Sequence, residues 1–254
     1  MSRRYCLRGG IRMKIIRVKD YDEMSQKACE LVSDQILKQK DSVLGLATGS
    51  TPEGMYEGLI EKTSNKEISF KDVRTFNLDE YIGLSEEDPN SYHYFMEENF
   101  FKRIDISPDH THLPKGKATD LQAECQRYED LIESVGGIDL QILGLGTNGH
   151  IAFNEPGSSF KSPTAVVDLA QETLDANARF FDSVEEVPTQ AITMGIASIM
   201  KAGKIILLVS GESKAEALKQ TINGEVTEDV PSSVLKNHSN VTIIADEAAL
   251  SLVE

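Results

Sequence analysis

Short apolar segments alternate with longer amphipathic segments along most of the chain. The apolar segments, rich in Val, Ile and Leu, predict strands at residues 15–18, 43–47, 73–77, 140–145, 205–210 and 241–245. The amphipathic segments predict helices at residues 21–38, 52–62, 89–101, 121–134, 191–202, 213–222 and 248–253. In the second of these helices, Tyr56, Leu59 and Ile60 fall on one face at helical spacing.

Strands that are separated by helices predict an α/β fold. We expect an open, mostly parallel sheet with helices on both faces, arranged as a Rossmann-like three-layer sandwich. No repeat or Pro/Ser-rich linker divides residues 13–254, so we expect a single domain there. Residues 1–12 are basic and lack the apolar core of a signal peptide. They are expected to form an N-terminal extension outside the fold.

Charge and cysteine content narrow the class of protein. The chain has 254 residues, with 26 basic and 41 acidic side chains and a net charge of −15, which would repel a nucleic-acid backbone. No apolar run approaches the roughly 20 residues that a membrane-spanning helix needs. Cys6, Cys29 and Cys125 show no CxxC spacing, which favours a reducing compartment and no structural zinc. We therefore expect a cytoplasmic protein without nucleic-acid or membrane partners.

Ligands of such sheets bind beyond the carboxyl ends of the strands, so the loops there are the first candidates for a site. Thr48, Gly49, Ser50 and Thr51 follow the second predicted strand. We expect Thr51 to cap a helix with Pro52 at its first position, and successive N–H groups at such a helix end bind phosphate. The Gly-x4-Gly spacing lacks the Lys-Ser/Thr of a nucleotide P-loop, which favours a monophosphate. The alternative is an ordinary capped turn.

Two carboxylates and a tyrosine follow the third predicted strand. Asp79 is placed to act as a base beside a ligand, with Glu80 turned towards a structural partner. The alternative is that Asp79 caps a turn and Tyr81 packs in the core. Spacing alone leaves both interpretations open.

The segment GLGTNGHIAFNEP, residues 144–156, follows the fourth predicted strand. Its glycines match the spacing of a dinucleotide fingerprint, but a fingerprint must open a helix, and no helical periodicity follows Gly149. A catalytic loop presenting Asn148, His150 and Glu155 is therefore favoured. Histidine suits proton transfer near neutral pH, and a carboxylate held against the ring would orient it and favour its protonated form. The alternative is a satisfied histidine in a buried loop.

Two basic side chains are candidates for binding an anion. Lys214 lies in the first turn after the fifth predicted strand, where the helix dipole disfavours a cation unless an anionic ligand is present. Arg179, among aromatic residues, offers a fork-shaped donor suited to phosphate. The alternative for Lys214 is a solvated surface side chain. His110 and His112 lie in a loop without nearby cysteines, and we expect no metal there.

Taken together, these loops resemble the glucosamine-6-phosphate deaminase family, also called glucosamine-6-phosphate isomerases. The resemblance covers nearly the whole chain past residue 12 and rests on LGLATGSTP (44–52), FNLDEYIGL (76–84), GLGTNGHIAFNEP (144–156), NARFFD (177–182) and SGESKA (210–215). It implies a reaction without cofactor, in which glucosamine 6-phosphate and water give fructose 6-phosphate and ammonium. It also implies a monomer or homo-oligomer.

The resemblance further implies a role for each candidate. Asp79 would move the proton from C2 to C1, His150 would open the sugar ring, and Glu155 would orient His150. The phosphate would bind the amides and hydroxyls of residues 48–51, together with Arg179 and Lys214.

This chain departs from parts of the family at two places. One branch has aspartate where Asn148 stands, so we expect the amide to position groups by hydrogen bonding and His150 to depend more on Glu155. Members activated by N-acetylglucosamine 6-phosphate carry basic residues shortly after the NEP motif. Here Ala165 and Val167 stand near those positions, so we expect no such activation.

Two rival functions remain at the level of sequence. A 6-phosphogluconolactonase of similar fold needs no base for deprotonating carbon, so the FNLDEY motif counts against it. A sugar-phosphate-sensing domain of a transcriptional regulator should carry a DNA-binding helix-turn-helix segment and a basic patch, and neither is found in this sequence.

Overall fold

The computed structural model describes residues 3–4, 13–171, 173–174 and 186–253. Within them the strands are β1 (Arg3–Arg4), β2 (Lys14–Val18), β3 (Val43–Leu46), β4 (Arg74–Asn77), β5 (Asp79–Tyr81), β6 (Thr111–His112), β7 (Leu140–Gly144), β8 (Ala165–Asp168), β9 (Gln190–Thr193), β10 (Ile205–Val209) and β11 (Val241–Asp246). The helices are α1 (Tyr21–Lys38), α2 (Ser50–Ser64), α3 (Tyr92–Asn99), α4 (Leu121–Ser134), α5 (Ile196–Ile199) and α6 (Ala215–Asn223). Short 3-10 helices occur at Phe101–Arg103, Pro108–His110, Glu212–Lys214 and Pro231–Asn237.

The main sheet has the strand order β1-β2-β11-β10-β7-β3-β4-β6. All of its pairs are parallel except β1 with β2. Each of the six predicted strands is present, with ends that differ by one residue at most, and the predicted fold class is confirmed. Arg3 and Arg4, from the segment expected outside the fold, pair with the free edge of β2. The rest of residues 1–12 lies outside the described residues.

Both faces of the sheet are buried. Neighbouring residues of one strand point to opposite sides, so Ile15 and Leu207 belong to one apolar cluster, whereas Ile16 and Leu208 belong to the other. Helices α1, α2 and α3 cover the second cluster, and α4, α5 and α6 cover the first. Strands covered on both faces explain why the apolar runs in the sequence are nearly continuous.

A second, smaller sheet of order β5-β9-β8 is antiparallel. The predicted helix 191–202 is therefore wrong in its first part, because residues 190–193 form β9 and only Ile196–Ile199 is helical. A short apolar run does not distinguish a buried strand from a buried helix. Gly195 lies between the two elements. Only glycine fits at this position, because a Cβ would overlap the carbonyl oxygens of Ser162 and Pro163.

Three other predicted helices differ in extent, and a fourth is not formed. The predicted helix 52–62 is two residues longer at each end, as α2. The predicted helix 89–101 is shorter, because α3 spans Tyr92–Asn99 and a separate 3-10 turn follows. The predicted helix 213–222 begins as the 3-10 turn Glu212–Lys214 and continues as α6. The predicted helix 248–253 is wrong: these residues form turns, in which the Ser251 N–H donates to the Ala248 carbonyl oxygen and the Val253 N–H to that of Leu250. Across the described residues, every helix is too short or too polar for a membrane span.

Candidate active site

A cleft of about 190 Å³ opens at the carboxyl ends of β3, β4, β7 and β10. Thr48, Thr51, Asp79, His150 and Lys214 all line it. The side chains of Asp79 and His150, which follow different strands, therefore share one cavity. A larger groove of about 810 Å³ runs between α1 and α2, but none of these side chains reaches it. Convergent polar groups identify a site better than volume does, so the smaller cleft is the candidate active site.

Asp79 occupies the first position of β5, where its backbone pairs with Thr193 of β9. Its side chain is buried at the floor of the cleft. Burial, reinforced by the negative charge of the neighbouring Glu80, raises the pKa of the Asp79 carboxyl from 3.8 to about 8. Burial favours the neutral form of a carboxyl group, and a second carboxylate adds to this effect. A base whose pKa lies near neutrality is suited to proton transfer.

Glu80 points away from the cleft, as the sequence led us to expect. Its carboxylate accepts hydrogen bonds from the backbone N–H groups of Tyr81, Tyr92 and His93, at 2.8, 3.0 and 2.9 Å. The last two N–H groups open helix α3, where a negative charge is favoured by the helix dipole. The pair of adjacent carboxylates is thus divided into one that faces the cleft and one that holds a helix.

Tyr92 is a cleft residue that the sequence alone did not single out. It is the first residue of α3 and lines the same cavity as Asp79. Its hydroxyl donates to the Tyr81 hydroxyl at 3.0 Å, and its ring packs against Tyr81 and Phe153. Burial, with smaller contributions from Tyr81 and Asp79, raises its pKa. No local signal marked it, because its position depends on where α3 docks.

His150 is held by two side chains from its own loop. The amide oxygen of Asn148 lies 2.8 Å from the ring Nδ1, and the carboxylate of Glu155 lies 3.4 Å from the same atom. Asn148 also donates from its amide nitrogen to Glu155 at 2.8 Å. Since both neighbours of Nδ1 are acceptors, the proton resides on Nδ1 and a neutral ring leaves Nε2 as an acceptor. The amide is thus the nearer partner of the ring, although the sequence favoured Glu155.

Glu155 stays ionised beside the ring. Burial by itself would raise the pKa of its carboxyl, but hydrogen bonding and charge attraction from His150, with help from Asn148, outweigh burial and hold the pKa below its ordinary value. An ionised Glu155 stabilises a positive charge on His150 whenever the ring accepts a second proton.

The glycines of this loop serve its own geometry. A Cβ on Gly146 would overlap the His150 ring, and Gly149 has a φ of +87°, in the left-handed region that favours glycine. Residues 147–164, all of them described, contain no helix. A dinucleotide fingerprint opens a helix, so this interpretation of the spacing is excluded.

The loop before α2 presents the N-terminus of a 15-residue helix to the cleft. Gly49 takes the capping position with a φ of +90°, and the helix begins at Ser50. The expectation that Thr51 caps the helix and that Pro52 is its first residue is therefore wrong, because the left-handed turn at Gly49 starts the helix earlier. Thr48 and Thr51 line the cleft, and free N–H groups at a helix start favour an anion.

Lys214 lines the same cleft as Thr48 and Thr51 of the loop before α2. It ends the 3-10 turn Glu212–Lys214 before α6, and burial lowers the pKa of its ammonium group. Within the described part of the chain it forms no ion pair with a carboxylate. The turn is fixed by Asp246, whose carboxylate accepts from the Ser210 hydroxyl at 2.5 Å and the Gly211 N–H at 3.0 Å. Arg179, the other predicted phosphate ligand, lies outside the described residues.

The histidine pair that was considered for a metal lies away from the cleft. His110 ends a 3-10 turn and His112 belongs to β6 at the edge of the main sheet, where its ring packs against Phe76. Among the residues that the structure describes, no three His, Cys, Asp or Glu side chains are grouped as a metal site requires.

Comparison with known proteins adds independent findings. The family model described as glucosamine-6-phosphate isomerases/6-phosphogluconolactonase matches residues 19–244. A glucosamine-6-phosphate deaminase of Thermoanaerobacter sp. (strain X514) is 58% identical over 241 residues, which cover 95% of each chain. The solved structure of a monomeric glucosamine-6-phosphate deaminase superposes with a TM-score of 0.91 at 51% identity, covering 94% of this chain and 100% of that one. A 6-phosphogluconolactonase from Trypanosoma brucei has the same fold, with a TM-score of 0.79 at 19% identity, covering 96% and 100%.

Proposed function

The chain belongs to the family of glucosamine-6-phosphate isomerases and 6-phosphogluconolactonases, and we propose that it converts glucosamine 6-phosphate and water into fructose 6-phosphate and ammonium. Proteins that are similar over nearly the full length of the chain carry this activity in their names. The arrangement of Asp79, His150 and Lys214 around one cleft gives each chemical step a suitable group.

The phosphate of the substrate binds between the start of α2 and Lys214. The N–H groups after Gly49 and the hydroxyls of Thr48 and Thr51 offer hydrogen-bond donors, and the ammonium of Lys214 supplies an opposite charge. The family resemblance adds Arg179 to these phosphate ligands. Local donors of this kind let a chain of net charge −15 bind an anionic sugar.

His150 opens the sugar ring. With its proton on Nδ1, the neutral ring accepts the proton of the anomeric hydroxyl at Nε2 and returns it to the ring oxygen as the C1–O5 bond breaks. Glu155 stabilises the charge that the imidazole carries between these two transfers. The product is the open-chain aldehyde, in which the proton on C2 has become acidic.

Asp79 then moves a proton from C2 to C1. Its carboxylate removes the C2 proton, the electron pair forms the C1–C2 double bond of an enol, and O1 of that enol takes a proton from the C2 ammonium group. The protonated carboxyl then returns its proton to C1 while the nitrogen lone pair forms the C2 iminium. Water adds to C2, and ammonium leaves as the ketone forms. In the substrate complex, the protonated amino group at C2 lowers the pKa of Asp79 and favours its basic form.

One observation supports this proposal most strongly: the buried carboxyl of Asp79 and the oriented ring of His150 line a single cleft that also presents a helix N-terminus and a half-buried lysine. The test is an assay of ammonium released from glucosamine 6-phosphate by the parent chain, with a chelator present, and by Asp79→Asn. We expect release by the parent and a loss of at least about a hundredfold in the variant.

The same preparations should be assayed for hydrolysis of 6-phosphogluconolactone, since the lactonase shares the fold at low identity. We expect none above background. Lactone hydrolysis without ammonium release would contradict the proposed function.

The assembly is proposed to be a monomer, as in the similar deaminase structure. Light scattering coupled to gel filtration should give a mass near 28.0 kDa. A stable multiple of that mass would exclude this part of the proposal and leave the activity unaffected.

A further inference from the structure

A buried hydrogen-bonded pair, Glu80 and His93, lies directly behind the cleft. Glu80 is almost completely buried, and its Oε2 lies 2.9 Å from the Nδ1 of His93. Oε1 accepts from the N–H groups of Tyr81 and Tyr92, while Oε2 accepts from both the N–H and the ring of His93. The two oxygens have about four acceptor positions between them, and four donors fill them.

His93 supplies the only side-chain donor in this set of four. Since Oε2 is an acceptor, the facing Nδ1 carries a proton. The other ring nitrogen faces the exposed carboxylate of Glu86 at 3.7 Å, a distance and exposure at which an ion pair contributes little. The buried contact with Glu80 is therefore the one that fixes the ring.

The hydrogen-bonded pair of Glu80 and His93 is linked to the cleft in two ways. Glu80 holds the first turn of α3, and the first residue of that turn is Tyr92, which lines the cleft. Glu80 is also the neighbour of Asp79 in β5, and its negative charge opposes ionisation of Asp79. The charge of Glu80 is balanced inside the protein by the donors that it accepts from.

The groups that face Asp79 come from several elements. Beside Glu80 in β5 they are Tyr92 of α3, Tyr128 of α4, and His150 and Lys214 across the cleft. Tyr128 donates its hydroxyl to the carbonyl oxygen of Asn77 and does not reach Glu80. Of these groups, Glu80 is the one to which His93 donates hydrogen bonds directly.

We propose that His93 is a positioning residue of the reaction, which donates to Glu80 and fixes its carboxylate, and thereby keeps Asp79 usable as a base and Tyr92 against the cleft. The inference rests on the proposed function, because its readout is the deaminase reaction. His93 does not touch the cleft, and it acts through Glu80.

The experiment compares His93→Leu with His93→Asn. Leucine fills similar space without a donor, while the amide nitrogen of asparagine can occupy the place of Nδ1 and donate to Glu80. The measurement is the pH profile of kcat/KM for ammonium release, with thermal unfolding to show that each variant is folded. Glu86→Gln, which removes the exposed partner of the same ring, is the matched control.

In His93→Leu we expect the acid limb of kcat/KM to move to higher pH by about 0.5 unit or more, because a Glu80 carboxylate that has lost a hydrogen-bond donor opposes a negative charge on Asp79 more strongly. His93→Asn should move the limb back towards the parent position, and Glu86→Gln should leave it unchanged.

An acid limb in His93→Leu that coincides with that of the parent overturns the inference. A uniform loss of activity that is equal in both His93 variants, with no shift of the limb, also overturns it, because it indicates a merely structural role. Neither result contradicts the proposed function, which is contradicted only if the parent chain releases no ammonium from glucosamine 6-phosphate.

Discussion

The amide oxygen of Asn148 accepts hydrogen bonds from both the ring Nδ1 and the backbone N–H of His150, at 2.8 and 3.1 Å. The bond from the N–H two residues ahead is an Asx turn, which folds the loop and aims the ring at the same time. The amide nitrogen bonds to Glu155, so one side chain joins the ring, the backbone and the carboxylate. An aspartate could accept at the same place but could not donate to Glu155.

The first prediction concerns this amide. Asn148→Leu keeps the approximate size and removes all three hydrogen bonds, so His150 loses its orientation. We expect kcat for ammonium release to fall by about 10- to 100-fold, because a general acid–base contributes that much or more only when it is positioned. Steady-state kinetics with glucosamine 6-phosphate measure this. A variant that is folded and retains more than half of the parent kcat would show that the amide has no positioning role.

The second prediction concerns Glu155. Glu155→Gln retains a side chain that can bond to Asn148 but removes the charge beside His150. The positive ring that forms during ring opening is then less stable, and we expect a loss of roughly tenfold or more in kcat on the closed-ring sugar. Nearly full activity on that substrate would remove Glu155 from the catalytic set.

The third prediction concerns the pH dependence of the reaction. The raised pKa of Asp79 means that the base is protonated in much of the free enzyme at neutral pH. Because kcat/KM reports ionisations of the free enzyme, it should rise with pH up to about 8, within about one unit. The limb of kcat should lie at lower pH, since the bound amino group favours the carboxylate. The amino group of the sugar is titrated separately as a control. A kcat/KM that is constant between about pH 6 and 8 would contradict the assignment.

The fourth prediction links the same carboxyl to stability. Between 3.8, its ordinary pKa, and about 8, Asp79 binds more protons in the folded than in the unfolded protein. The free energy of unfolding therefore falls as the pH rises through this window. The side chain of Asp79→Asn does not titrate, so the difference in Tm between this variant and the parent should grow from pH 4 to pH 8.5. A change of 1 kcal/mol in the free energy of unfolding shifts Tm by about 2–4 °C in a protein of this size, so the difference should reach several degrees.

Asp72→Asn, a change at an exposed aspartate, is the control for this Tm comparison. It should give no such trend. A Tm difference between Asp79→Asn and the parent that is constant across the pH range would mean that burial does not perturb Asp79.

Most of the cleft could be predicted from the sequence because it is built from strand ends. Parallel strands end at the same edge of a sheet, so the loops that carry Asp79, His150 and Lys214 had to be neighbours once the strands were recognised. The turn residues gave further signals, such as Gly49 before α2 and the Asn-Gly pair before His150. Local chemistry was enough to locate these loops.

Other features depend on contacts between distant segments. β9 is a strand because it pairs with both β5 and β8, although its apolar residues are compatible with a helix. Tyr92 lines the cleft at the start of α3, where its N–H donates to Glu80, twelve residues earlier. A short stretch of sequence contains neither of these contacts. Hydrophobic periodicity therefore assigned the residues of β9 to a helix and did not identify Tyr92.

The last prediction concerns the phosphate. Lys214 is half-buried, lines the cleft and has no carboxylate partner within the described residues, so its charge is available for an anion. Lys214→Met keeps the length of the side chain and removes the charge.

Lys219→Met, at a partly exposed lysine of α6 outside the cleft lining, is the matched control, because the Lys219 ammonium lies 3.7 Å from the Glu216 carboxylate. We expect KM for glucosamine 6-phosphate to rise by about tenfold or more in Lys214→Met, as a charge-assisted hydrogen bond contributes roughly 1.5–3 kcal/mol. Inhibition by inorganic phosphate should weaken in parallel, since phosphate alone would occupy the same place. Equal effects of the two substitutions on KM and on phosphate inhibition would place the anion elsewhere. A loss of kcat with KM unchanged would mean that Lys214 acts on the reacting carbons and not on the phosphate.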